Sequence, residues 1–320
     1  MIRKLRAVLP GRGPQVRIGP GDDAAVTEPR GATATSVDAI VEGVHFTRPE
    51  FSPDAIGHKA LAAALSDIAA MGARPGEAYV VLGLPPGDES ANEELCLGIA
   101  EGIAGLARRT GTAILGGDIT RSAVLSVAVT AVGHEPHGAR LVSRGGARPG
   151  DVLAVTGELG GAAAAARLLN GTAAGEPPAP ATLHARQFSP EPRLAPGREL
   201  ADAGATAMID ISDGLGADAG HLAEAGGVGI EIEMASVPVQ AGVAEVAGGA
   251  AEGLELAATG GEDFELLACL PPASLAAAVS AVEQVGTGLT EIGIVTSGAG
   301  VSLRLSDGGE IEPRGWDHLA

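Results

Sequence analysis

The sequence predicts a two-domain protein of the α+β to α/β class, with an N-terminal mixed-sheet domain followed by a C-terminal α/β domain. Three observations carry this. The chain has 320 residues, about twice the usual domain length. Strand-length apolar runs alternate with longer runs of helical period in both halves. Between them lies HEPHGARLVSRGGARPGD, a Gly-, Pro- and Arg-rich connection that places a boundary near Pro136 and divides the chain into 1–136 and 137–320.

In the first half, residues 32–37 read as a strand and 53–71 as a helix whose Ile56, Leu61, Leu65 and Ile68 recur near three- and four-residue spacing. A strand follows at 78–84. Residues 90–109 read as a second helix with Ser90 as N-cap, Glu93 three residues on and Gly111 as its C-terminal stop. Strands at 112–115 and 124–132 complete this half. The second half opens with a strand at 152–156 and a helix at 162–169, and then NGTAAGEPPAPAT reads as a long surface loop. Strands at 207–211, 228–232, 264–270 and 291–295 alternate with helices at 214–225 and 273–285.

Composition removes whole classes of function. Lys and Arg number 21 against 40 Asp and Glu, a formal charge of −19, so the surface field repels nucleic acid and anionic membranes. Aromatics are 2% of residues, which excludes a platform for stacking bases. Hydrophobic residues make up 45%, enough for cores built from small aliphatic side chains. The two cysteines, Cys96 and Cys269, lie far apart with no CxxC, so neither a disulfide framework nor a cysteine zinc site is expected and a reducing cytoplasm fits. No run reaches the length of a membrane span.

Acidic residues cluster at glycine- or serine-flanked positions: Gly21-Asp22-Asp23, Ser36-Val37-Asp38, Ser66-Asp67, Gly116-Gly117-Asp118, Asp210-Ile211-Ser212-Asp213-Gly214 and Gly260-Gly261-Glu262-Asp263. Most sit where a strand is expected to end. Small neighbours let a ligand approach the backbone, and carboxylates without adjacent Lys or Arg suit hard cations, above all Mg²⁺ bridging phosphate oxygens. Each cluster alone is equally ordinary turn chemistry; six together point to cation binding. Asp67 is the least ordinary, because it lies within a helix among apolar Leu65 and Ile68.

Common phosphate-binding loops are absent. Lys4 is followed by Leu5 and Lys59 by Ala60, and these are the only lysines, so no GxxxxGK[ST] loop exists. HRD, DFG and a well-placed GxGxxG are missing too. His134-Glu135-Pro136-His137 is not HExxH, since its histidines are three apart and proline breaks the helix that motif needs.

GDDAAV (21–26), SVDAIVEGVHF (36–46), HKALAAALSDIAAMGARP (58–75), GGD (116–118), DISDGL (210–215) and TGGEDFELL (259–267), in this order and spacing, resemble the thiamine-monophosphate kinase family of the aminoimidazole-ribonucleotide-synthetase-like superfamily. The resemblance implies ATP-dependent conversion of thiamine monophosphate to thiamine diphosphate and a homodimer built through the N-terminal sheets. It implies several Mg²⁺ ions on Asp23, Ser36, Val37 (through its backbone), Asp38, Asp67, Asp118, Asp210 and Asp213. ATP contacts would fall on Gly117, Asp118, Arg144 and Ser212, and acceptor contacts on His45, Glu262 and Trp316, with no residue acting as a covalent nucleophile. The chain departs from the family pattern in a short opening before GDD and in Val37, where Thr is frequent. Selenophosphate synthetase, a carbamoyl-dehydratase maturation factor and aminoimidazole ribonucleotide synthetase are alternatives within the superfamily, and a nucleotide-binding protein without turnover is a non-enzymatic one.

Overall fold

The computed structural model describes residues 1–20, 24–29, 31–48, 50–136 and 140–316. The chain divides into two units: Met1–Ile68, Ala73–Gly138 and Phe188–Pro190 form one, and Ala69–Gly72, Ala139–Gln187 and Glu191–Ala320 the other.

The first unit contains helix α1 (Ile2–Val8), strands β1 (Val16–Ile18), β2 (Val26–Thr27) and β3 (Thr33–Val41), helix α2 (Pro53–Ala70), strand β4 (Arg74–Leu84), helix α3 (Glu89–Thr110), and strands β5 (Ala113–Arg121) and β6 (Ser126–His134). Its main sheet runs β3-β6-β4-β5, antiparallel except for β4 with β5. Helix α3 is the crossover that this parallel pair requires. Ile56, Leu61, Leu65 and Ile68 of α2 are all buried, with Ile99 and Ile103 of α3 and Val127 and Val129 of β6, as the helical spacing anticipates. Two glycines set how closely the helices approach. A Cβ at Gly57 would lie 2.0 Å from the carbonyl oxygen of Ile99, and one at Gly102 would lie 1.9 Å from that of Asp54, so the backbones meet where no side chain fits.

Helix α3 begins one residue before the expected stretch. Its N-cap is Asp88, whose carboxylate accepts the Ala91 N–H at 2.8 Å, rather than Ser90. Glu93 instead binds Lys4 at 2.6 Å and the terminal amine at 2.9 Å, which holds the unanticipated α1 against α3. Strand β5 also runs six residues past its expected end, so Asp118 lies within a strand and not at a turn, as does Asp38 in β3.

The second unit follows with strand β7 (Val152–Thr156), helices α4 (Gly161–Leu169), α5 (Pro180–Phe188) and α6 (Leu194–Asp202), strand β8 (Ala207–Asp210), helix α7 (Leu215–Gly226), strand β9 (Gly229–Glu233), helices α8 (Val243–Ala247) and α9 (Ala250–Thr259), strand β10 (Leu266–Leu270), helix α10 (Leu275–Gln284), and strands β11 (Leu289–Thr296), β12 (Gly300–Arg304) and β13 (Glu310–Ile311). They form a seven-stranded sheet in the order β13-β12-β9-β11-β7-β10-β8. Only β9 with β12 is parallel, so the α/β expectation gives way to a mixed, mainly antiparallel sheet. One core contains Leu153, Val155, Leu215 and Leu222, and another Leu200, Met208 and Leu270. Helix α5 starts inside the run expected to be a loop, and its Leu183, just past that run, is fully buried. Among the described residues no helix is long and apolar enough to cross a membrane.

Candidate active site

Strand alternation sorts the SVD motif. Ser36 and Asp38 share one face of β3 with buried Ile40, whereas Val37 points to the opposite face and is 68% exposed. Helix α2 supplies Asp67 to the Ser36 side. The Ser36 hydroxyl lies 3.1 Å from Asp38 Oδ2 and hydrogen-bonds Asp67 Oδ2, so one hydroxyl joins two carboxylates. Burial and then the nearby Asp67 charge push the Asp38 carboxyl up to about 6. Asp38 and Asp67 form no ion pair among the described residues. Val37 offers this cluster its backbone alone, and Asp23 lies outside the described residues.

Gly117 and Asp118 are on β5, paired with Val80 and Val81 of β4. This is the opposite edge of the sheet from β3, about 14 Å away at the usual strand separation, so one sheet does not bring Asp118 to Asp38. A Cβ at Gly117 would lie 1.8 Å from the Val80 carbonyl oxygen, which explains glycine there. A cavity of about 690 Å³ has Leu5, Leu9, Ile103, Leu115, Gly117 and Asp118 in its lining. Apolar walls meeting a glycine and a carboxylate suit a ligand with a flat apolar part and a polar tail.

His45 follows β3. Its Nδ1 accepts the Val41 N–H at 3.1 Å, which puts the proton of the neutral ring on Nε2. Buried Lys59 of α2 donates Nζ to the His45 carbonyl at 2.9 Å and stands 5.4 Å from the Phe51 ring centroid. Lys59 lies in the HKALAAALSDIAAMGARP block without a role assigned from sequence, although a lysine inside an apolar helix signals a buried cation in need of a partner.

In the second unit, Asp210 ends strand β8, and the Ser212-Asp213-Gly214 turn leads into α7. Asp218 in the first turn of α7 accepts the N–H groups of Ser212 at 3.1 Å, Asp213 at 3.0 Å and Gly214 at 3.0 Å, all on Oδ2. Burial raises the Asp218 carboxyl to about 7, against the pull of these amides. Ligand atoms of Asp213, Asp218 and His221 lie within 4.8 Å of one another. Asp218 and His221 were also missed; their i, i+3 spacing on one helix face is the signal. The Trp316 N–H donates to the Asp213 carbonyl at 2.8 Å, while its side chain is 57% exposed. Exposed Arg144 opens a short 3₁₀ turn; Ser143 before it accepts the Met208 N–H of β8 at 3.3 Å.

Glu262 has φ 68° and Phe264 φ 52°, a region disfavoured for side-chain-bearing residues. Their turn is held from several sides. The Glu262 N–H donates to Ser212 at 2.7 Å and that of Phe264 to Ile211 at 2.9 Å. Asp263 accepts the amides of Gly160 at 2.7 Å and Ala162 at 3.2 Å. Glu265, fully buried, receives Arg193 through two 2.6 Å bonds, Arg186 at 2.9 Å and Thr156 at 2.8 Å. Gln187 donates to Glu262 Oε2 at 2.9 Å. The structure thus joins Glu262 to the DISDGL turn, as chain order alone does not.

Residues 21–134 match the family model for the N-terminal domain of AIR synthase related proteins, and 148–306 the model for the C-terminal domain. A thiamine-monophosphate kinase of Methanopyrus kandleri is 39% identical over 95% of this chain and 91% of its own length. The chain belongs to the thiamine-monophosphate kinase family. The crystal structure of such a kinase from Stenotrophomonas maltophilia is similar at TM-score 0.83 and 34% identity, covering 97% of this chain and 96% of that one. The structure of AaThiL complexed with AMPPCP and TMP is similar at TM-score 0.76 and 33% identity over 89% and 87%.

As a member of that kinase family, the chain offers a donor set that fits Mg²⁺. Ser36, Asp38 and Asp67 present only oxygen, the ligand type of hard cations, and two half-buried carboxylates joined through one hydroxyl leave room for a cation to take the place of that hydrogen-bonded contact.

Proposed function

We propose that this chain phosphorylates thiamine monophosphate with ATP to give thiamine diphosphate, by direct in-line transfer. Membership of the family and the relative complexed with AMPPCP, an ATP analogue, and TMP support the reading. The observation that carries it is the Ser36–Asp38–Asp67 cluster, an oxygen-only site of the kind phosphoryl transfer needs.

Several Mg²⁺ ions would be held by Asp23, Ser36, the Val37 backbone, Asp38, Asp67, Asp118, Asp210 and Asp213, and when bound they would neutralise phosphate oxygens. Gly117, Asp118, Arg144 and Ser212 hold ATP; the apolar cavity beside Gly117 suits its purine. His45 donates from Nε2 to the acceptor phosphate, and Glu262, fixed by its strained turn, and Trp316, offering an exposed ring face, bind the cationic thiamine. An acceptor phosphate monoester has a second pKa near 6 and is largely dianionic at pH 7, so no general base is required. An acceptor oxygen bonds to the γ-phosphorus as the bond to the leaving ADP oxygen breaks, and the residues named act by positioning and charge.

The first unit, as the ATP- and Mg²⁺-binding domain, also carries dimerisation. Exposed Val37 and Val81 share the sheet face away from α2, together with Ala39, an apolar surface that a second copy would cover. Light scattering at micromolar concentration should give twice the chain mass; a monomer would remove the dimer from the reading.

The deciding assay incubates purified protein with ATP, Mg²⁺ and thiamine monophosphate beside other phosphate acceptors, and follows thiamine diphosphate and ADP. Equal amounts of both should form with thiamine monophosphate alone. No thiamine diphosphate would overturn the assignment.

A further inference from the structure

Three consecutive amides, those of Ser212, Asp213 and Gly214, converge on a single carboxylate oxygen, Asp218 Oδ2, at 3.1, 3.0 and 3.0 Å. Successive N–H groups pointing into one concavity form a nest of the kind that binds phosphate. Here the occupant is a side chain of the same chain. Asp218 is 2% exposed, so its carboxylate shields these amides from solvent and ligands.

We propose that Asp218 is a positioning residue for phosphoryl transfer: it fills the amide nest of the 212–214 turn and so sets where the Ser212 and Asp213 side chains stand. This rests on the reading above, in which Ser212 and Asp213 serve ATP and Mg²⁺. Two consequences follow from the geometry. The turn meets ATP with side chains, because its amides are already satisfied. And the turn is rigid before ligand arrives, since three hydrogen bonds to one buried oxygen leave it little freedom. The same turn accepts the Glu262 N–H through Ser212 and the Trp316 N–H through Asp213, so a shift of the nest displaces the two residues assigned to the acceptor as well.

A purely structural role is the competing account. Asp218 stands in the first turn of α7, where a carboxylate favours the helix N-terminus, and on that account it serves helix stability alone. The two accounts differ in what moves when the carboxylate is removed. Asp218→Ala empties the nest; Asp218→Asn keeps shape and one acceptor oxygen but loses the charge, and serves if the alanine variant does not fold. Hydrogen exchange by mass spectrometry on the peptide spanning 211–218 reads the nest without any turnover. Steady-state kinetics reads its use.

Expected for Asp218→Asn are at least tenfold faster exchange in that peptide with other regions unchanged, and a KM for MgATP raised roughly tenfold or more beyond any fall in folded fraction. Asp218→Ala should exceed it in both. Unchanged exchange at 211–218, or a lower melting temperature with wild-type kinetics per folded molecule, would overturn the proposal. Should the wild-type protein fail to phosphorylate thiamine monophosphate, the functional reading falls while the exchange data still judge the nest.

Discussion

Ser36 on strand β3 donates its hydroxyl to Asp67 on helix α2, so a strand and the helix covering it each supply an oxygen to one cluster. The bond needs the β3 alternation that turns Ser36 toward α2 and the helix position that aims Asp67 back at the sheet.

Asp67→Asn keeps this bond's shape and removes a charge. The variant should fold normally and lose about 10²-fold or more in turnover, as transition-state charge goes unneutralised. Raising Mg²⁺ should restore part of the loss. Melting temperature and Mg²⁺-dependent turnover on one preparation check this; wild-type turnover would remove Asp67 from the metal set.

Trp316→Ala should weaken thiamine monophosphate binding by about 1–2 kcal/mol, the worth of a cation on an indole face, and leave MgATP binding nearly intact. Its backbone bond to Asp213 survives the change. Calorimetry with each ligand separately reads both; equal acceptor affinity in variant and wild type would confine Trp316 to anchoring the chain.

Gly102→Ala tests the helix crossing. Alanine normally favours a helix over glycine by about 1 kcal/mol, but here the new methyl would sit 1.9 Å from the Asp54 carbonyl oxygen. Forcing α2 and α3 apart should cost about 2 kcal/mol net or more, seen as a lowered thermal midpoint. A midpoint at or above that of wild type would show that the helices separate freely.

Asp263 makes stability depend on pH. Burial, its largest influence, raises the carboxyl to about 6, while Arg186 and the Gly160 and Ala162 amides pull the other way. In the unfolded chain the value is about 3.9. Between these values the folded state holds the proton and the unfolded state does not, so this contribution is complete below about pH 4 and is lost as pH rises through 6. Asp263→Asn removes the titration. The stability of wild type relative to the variant should fall from pH 4 to 6 and level off above 7; a constant difference would count against it.

The sequence by itself determined the family and much of the local structure. Acidic residues beside small neighbours, the apolar spacing of Ile56, Leu61, Leu65 and Ile68, and the ordered blocks from SVD to GGEDFEL are properties of neighbours along the chain, and they sufficed to name the family. Helices α1, α5, α6, α8 and α9 were not legible, because they are short and owe their stability to packing and not to propensity. Tertiary structure alone decided that Ser36 meets Asp67, that Asp118 stands on the opposite sheet edge, that Asp218 fills the 212–214 amides and that Arg193 and Arg186 neutralise Glu265. Each depends on residues distant in sequence or on the direction a side chain takes from its element, and such directions exist only once sheets and helices have packed.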